Sequence, residues 1–173
     1  MRCVVLVAVM AAIGSWSIPA AAASEAVKAG ARFSCTAVAV WDGDGPIWCA
    51  EGPRIRLAGV AARELDGSCR PSHPCPGPSG IVARNTLVAL LGGARGTLGT
   101  GHVKIARVPL RCVSQGDGKG GRTAAWCVAP RVGDLSCALL GSGVALRWDR
   151  YWREGQCQGN IGRAAQARAR YRP

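Results

Sequence analysis

Acidic side chains and lysines are both scarce in this chain. Ten Asp and Glu stand against 22 Lys and Arg, and Lys28, Lys104 and Lys119 are the only lysines. The shortage of acids leaves a formal charge of +12, and a surface so charged collects on polyanions with salt-dependent affinity. Codon bias of a high-GC genome accounts for arginine over lysine but not for cations over anions. No C-x-x-C pair occurs, which argues against a structural zinc knuckle and leaves Cys69, His73 and Cys75 as the one closely spaced zinc candidate. The two histidines, His73 and His102, lack the serine or cysteine context of a catalytic triad. Glycine-rich Gly116 to Gly121 lacks the lysine-serine ending of a Walker loop and reads as a hairpin connection. No apolar stretch approaches the ~20 residues of a membrane span. The run Cys3 to Ile13 follows Arg2 and precedes Ala21-Ala22-Ala23, an A-x-A cleavage pattern, so residues 1–23 read as a secretory signal. The expected location is secreted or periplasmic. Without a repeat or a long linker, residues 24–173 are expected to form one domain behind a short flexible leader, Ser24 to Ala31.

Of nine cysteines, Cys3 leaves with the signal. Cys35, Cys49, Cys69, Cys75, Cys112, Cys127, Cys137 and Cys157 remain, an even set that implies disulfides in an exported chain. Sequence alone does not choose among roughly a hundred pairings. Pairing of neighbours is the simplest expectation: Cys35–Cys49, Cys69–Cys75, Cys112–Cys127 and Cys137–Cys157.

Phe33 to Trp41, Ile47 to Cys49, Arg54 to Val60, Val103 to Val113 and Arg122 to Val128 read as strands. In the third, Ile55 and Leu57 share one face and Arg54 and Arg56 the other. Cys69 to Pro78 is a proline-rich loop. Ser79 caps a helix whose Ala83, Leu87, Leu90 and Leu91 share a face and which stops at Gly92-Gly93. Asp134 caps a second helix with Leu135 and Leu139 inward, and the tail from Gly162 reads as a third. Five short strands with a helix between the third and fourth fit a mainly β Greek-key barrel, the OB-fold, a scaffold that often binds nucleic acid.

The most informative residues are the acidic turn Trp41-Asp42-Gly43-Asp44-Gly45, the strand Arg54-Ile55-Arg56-Leu57 that runs on to Glu64, and Gly120-Gly121-Arg122. Carboxylates hold hard cations, arginines grip phosphate in pairs of parallel hydrogen bonds, and a lone glutamate can orient or deprotonate water. In order and spacing these motifs, over roughly residues 33 to 152, resemble the thermonuclease (staphylococcal nuclease-like) family. The resemblance implies the same barrel and a calcium-assisted phosphodiesterase acting on DNA and RNA, leaving 3′-phosphate ends. It implies catalytic roles for Arg56, Glu64 and Arg122, calcium ligation by Asp44 and the carbonyl of Ala62, and substrate contacts from Lys119 and Tyr151. Where the family has Asp-Thr-Pro-Glu, this chain has Ala61-Ala62-Arg63-Glu64. A second calcium carboxylate is therefore missing, with Asp42 and Asp66 as its candidate substitutes, and the corner that aims Glu64 lacks its proline. The alternative expectation is a catalytically weakened barrel that binds nucleic acid or another polyanion. A monomer is expected.

Overall fold

The computed structural model of the chain describes residues 25–158. The signal peptide and the helix expected in the tail both fall outside the described residues. Strands Arg32–Val40 (β1), Ile47–Cys49 (β2), Arg54–Leu57 (β3), Val103–Asp117 (β6) and Thr123–Ala129 (β7) pair in the order β6-β1-β2-β3-β7, and a β6–β7 pairing closes them into a barrel. All neighbours are antiparallel except β3 and β7, which run parallel. This is the expected OB-fold, and the helix Gly80–Leu90 (α1) connects its third and fourth barrel strands. A second helix, Leu135–Ser142 (α2), follows the barrel. Short strands Val60–Ala61 (β4) and Leu146–Arg147 (β9) form a separate two-stranded ladder, while Ala94–Thr97 (β5) and Gly133–Asp134 (β8) extend the edges of the main sheet.

Small inward residues, Cys35, Ala37 and Ala125, leave room in the barrel for Ile47, Ile55, Leu57 and Leu110, all almost fully buried. The helices seal the barrel with Ala83, Leu87, Leu91, Leu135 and Leu139, and Leu90 is only partly buried. The Ser79 hydroxyl accepts the Val82 amide and the Asp134 carboxylate accepts the Cys137 amide, each satisfying a donor that a helix start leaves free. All four disulfides join the neighbouring cysteines. Cys35–Cys49 ties β1 to β2 and Cys112–Cys127 ties β6 to β7, so two bridges staple barrel strands directly. Such bridges fit an oxidising compartment. Cys69 and Cys75 are thereby spent on each other, which removes the thiolates of the zinc alternative. No helix among the described residues is long and apolar enough to cross a membrane.

Two expectations need correction. The strand read as Arg54 to Val60 breaks after Leu57, because Gly59 turns the chain at φ +72° and sends Val60 and Ala61 to pair with Arg147 and Leu146. The leader is not free along its whole length. The Val27 amide donates to Thr123 Oγ1 at 3.0 Å, the Ser114 hydroxyl donates to the Val27 carbonyl at 2.7 Å, and the Gly30 amide donates to the Ser114 carbonyl at 2.9 Å. Buried Ser114 and Thr123 need partners, and the leader supplies them.

Candidate functional site

Parallel pairing of β3 and β7 places Ile55 beside Thr123 and Arg56 beside Ala124. Arg122, one residue before that register, therefore leads into β7 level with Arg54 at the start of β3, two residues short of Arg56. The expected outward placement of Arg56 with Arg54 is half right: Arg54 is exposed, but Arg56 is buried and its guanidinium donates to Asp44 Oδ2 at 2.9 Å. The Ala62 amide donates to the same oxygen at 3.1 Å. The Asp42 carboxylate accepts the Asp44 amide at 3.2 Å, which sets the acidic turn. A Cβ on Gly43 would collide with the Cβ atoms of Ala83 and Ala62, so the glycine lets the turn seat against α1 and the strand that leads to Glu64.

Burial drives the Asp42 carboxyl up to about 8, with the Asp44 charge adding to it. Burial also raises Asp44, against the opposing pull of Arg56. The Glu64 charge reaches both carboxylates and the Arg122 charge reaches Asp44, so Asp44, Arg56, Glu64 and Arg122 occupy one neighbourhood. Burial and the Arg56 charge pull the Arg122 guanidinium below its ordinary value. Arg122 Nε donates to the Lys119 carbonyl at 2.8 Å, holding the side chain against its own hairpin.

Glu64 lies at the corner beyond β4. Arg63 takes over the stiffening that a proline would give: its guanidinium donates to the Pro76 carbonyl at 2.9 and 3.1 Å and to the Gly67 carbonyl at 2.8 Å. Gly80, first residue of α1, packs so closely on the Arg63 and Glu64 carbonyls that no Cβ fits. The Glu64 side chain pairs with Arg70 at 2.5 Å. Asp66 stays in solvent and accepts the Ser68 amide, so of the two candidate substitute carboxylates only Asp42 joins the site.

A cavity of about 440 Å³ opens beside this cluster, lined by Arg56, Arg70, Lys119, Arg122, Arg150 and Arg153 against a single acid, Asp117. Its aromatic side is Trp148, Tyr151 and Trp152 together with His73. The β4–β9 ladder and a hydrogen bond from the Trp148 amide to the Gly59 carbonyl carry this aromatic segment back over the barrel. The His73 and Trp148 ring centroids are 4.0 Å apart, and the Arg56 guanidinium lies 5.5 Å from the Trp148 ring. Burial, then the Arg56 charge, push the His73 imidazole down, which leaves it neutral at pH 7. Lys119 and Tyr151, expected as substrate contacts, both line the cavity. Sequence reasoning missed Arg70, Trp148 and Trp152 and weighed His73 only for zinc or a triad, because none sits in a motif for this site and their approach depends on a loop and on the β4–β9 pairing.

The donor set expected for calcium is present only in part. Asp42 and Asp44 each keep one carboxylate oxygen without a hydrogen-bond donor among the described residues. Ala61, fully buried, adds no side-chain oxygen. Among the described residues the one trio of ligand-type side chains within 4.8 Å is Cys35, Cys49 and Glu51, and a disulfide consumes its sulfurs. Calcium takes about six to eight oxygens; Asp42 and Asp44 offer two carboxylates, and a calcium ion there would have to draw the rest from backbone carbonyls such as that of Ala62 and from water.

Fold and site together define an OB-fold barrel carrying a cationic, aromatic-lined cavity beside a buried carboxylate pair. No protein-family model and no curated protein matches this chain.

Proposed function

We propose that this protein is a thermonuclease-like phosphodiesterase that binds DNA and RNA in the cationic cavity. One observation carries the reading: Arg56 and Arg122, far apart in sequence, line one cavity with six cations and one acid, and the charges of both, with that of Glu64, reach Asp44 behind it. A phosphodiester needs charge compensation on its oxygens and a positioned water. Arg56, pinned by Asp44, and Arg122, pinned by the Lys119 carbonyl, present fixed guanidinium forks to a phosphate. Glu64 orients and deprotonates the attacking water once its oxygens are free. Trp148, Tyr151 and Trp152 stack bases, and stacking is tolerant of sequence. A calcium ion held by Asp42, Asp44 and Ala62 would add positive charge next to the phosphoryl oxygen. The mature chain, refolded with its disulfides, should degrade plasmid and single-stranded DNA as calcium is raised. No cleavage at any calcium level sinks the catalytic reading.

A second reading follows from Ala61 and from the Arg70 pair on Glu64: a barrel that binds nucleic acid and cleaves it poorly or not at all. Ala61→Asp separates the two, since it restores a carboxylate at the corner. Tighter calcium binding and faster cleavage support the enzyme; retention of DNA with no cleavage by either protein supports the binding module.

A further inference from the structure

We propose that the disulfide-closed loop Cys69–Cys75 is a wall of the substrate site, and that Arg70 on it is a phosphate-binding residue that releases Glu64 when a phosphodiester arrives. The inference rests on the nucleic-acid reading above and goes beyond it, because no motif assigns this loop a role.

The loop is mounted firmly. Arg63 clamps both of its flanks through the Gly67 and Pro76 carbonyls, and Cys69–Cys75 closes it. Two of its side chains, Arg70 and His73, reach the cavity. His73 lies against Trp148, which also faces Arg56, so the loop and the aromatic segment meet over the arginine that grips phosphate. Arg70 covers Glu64 from the solvent side: its side chain is 54% exposed and that of Glu64 is 23% exposed. Its Nε bonds Glu64 Oε1, and the second nitrogen stands 3.5 Å from Oε2.

A carboxylate and a phosphodiester offer a guanidinium the same pair of acceptor oxygens. Arg70 can therefore exchange one for the other by a small rotation, without moving the loop. The surroundings favour the exchange. Arg56, Arg70 and Arg122 share the cavity, and the charges of Arg56 and Arg70 both depress Arg122. An entering phosphate relieves that repulsion, whereas Glu64 compensates one guanidinium only. While paired to Arg70, Glu64 turns both oxygens toward a guanidinium, which competes with a water for the same carboxylate. Arrival of the substrate thus both places an anion among the guanidinium groups and loosens the arginine's hold on Glu64.

The test uses the mature, disulfide-bonded chain and three variants: Arg70→Ala, Arg70→Lys and the double change Cys69→Ser with Cys75→Ser. The probe is a fluorescent single-stranded oligothymidylate, with circular dichroism to confirm a folded barrel. Arg70→Ala should weaken binding about tenfold and lower the salt slope by about 0.7, the loss of one phosphate contact. KM should rise more than kcat falls. Arg70→Lys should recover the salt slope but not the full affinity, because the fork is lost. Opening the loop should weaken binding in the same direction. If Arg70 only holds Glu64 in place, Arg70→Ala will lower kcat and leave affinity and salt slope unchanged, which overturns the proposal while the nuclease reading stands. If the unmodified protein fails to bind the oligonucleotide at low salt, both fall together. The binding measurements need no cleavage, so a weakly active protein still decides the matter.

Discussion

Asp42 is a residue under heavy electrostatic load. Its carboxyl is buried beside Asp44, with Arg56 as the cation shared between them. Its pKa stands at about 8 in the fold against an ordinary 3.8, so the folded protein keeps a proton that the unfolded chain has already lost. A group of that kind contributes stability in full below the unfolded pKa, and the contribution disappears as pH rises through the folded one. Without calcium, stability should therefore fall from about pH 4 to about pH 8, with a slope of up to ~1.4 kcal/mol per pH unit for one proton. Asp42→Asn should remove its share of that slope and stabilise the protein at neutral pH. Asp44 and Asp134, both raised by burial, act in the same direction. Urea melts across this range in a calcium chelator read the effect directly. An unchanged slope in the variant would show that Asp42 is ionised in the fold at little cost. Lys119 is strained in a different way: it adopts φ +66°, a region that disfavours side chains with a Cβ. Lys119→Gly should gain up to ~1 kcal/mol of stability while weakening oligonucleotide binding, a split visible by comparing thermal melts with titrations.

At the scale of elements, the corner after β4 depends on the start of α1. Gly80 rests on the Arg63 and Glu64 carbonyls, so a methyl group there must displace either the helix or the corner. Gly80→Ala should cost about 1–3 kcal/mol, as overpacking does, although alanine is the better helix former. It should also depress cleavage more than DNA affinity, because Glu64 moves while the cavity cations stay. Equal losses in both would mean that the corner does not set Glu64. Helix and strand elements with periodic apolar faces were legible in the sequence: β1, β2, the start of β3, α1 with its Ser79 cap, and α2 with its Asp134 cap. Strand β5 was not, because all four of its residues are exposed and it carries no alternation; β8 and β9 are only two residues long. The site divides in the same way. Asp44, Arg56, Glu64 and Arg122 announce themselves through local motifs, whereas Arg70 and Trp148 reach the cavity by a loop closure and a ladder that only tertiary pairing creates.

For the molecule as a whole, the question is whether its charge merely attracts polyanions or feeds a site built for nucleic acid. A net charge of +12 accounts for attraction to any anionic polymer, and four disulfides, two of them between barrel strands, brace the fold whatever it binds. The cavity makes a narrower demand, since six of its lining residues are cations and three are tryptophan or tyrosine. If about five phosphates are neutralised, affinity for a single strand should drop on the order of a hundredfold between roughly 50 and 200 mM salt. Inorganic polyphosphate should share that salt dependence, because it meets the same cations. It should not share the optical signal. Bases stacked on Trp148 and Trp152 should quench tryptophan fluorescence, and a chain of phosphates without bases has nothing to stack. Titration of both polymers at matched salt therefore separates charge from recognition. Equal quenching, or none from the oligonucleotide, would leave only a basic barrel; quenching by the oligonucleotide alone would place its bases against the aromatic wall, within reach of the arginines that grip its phosphates.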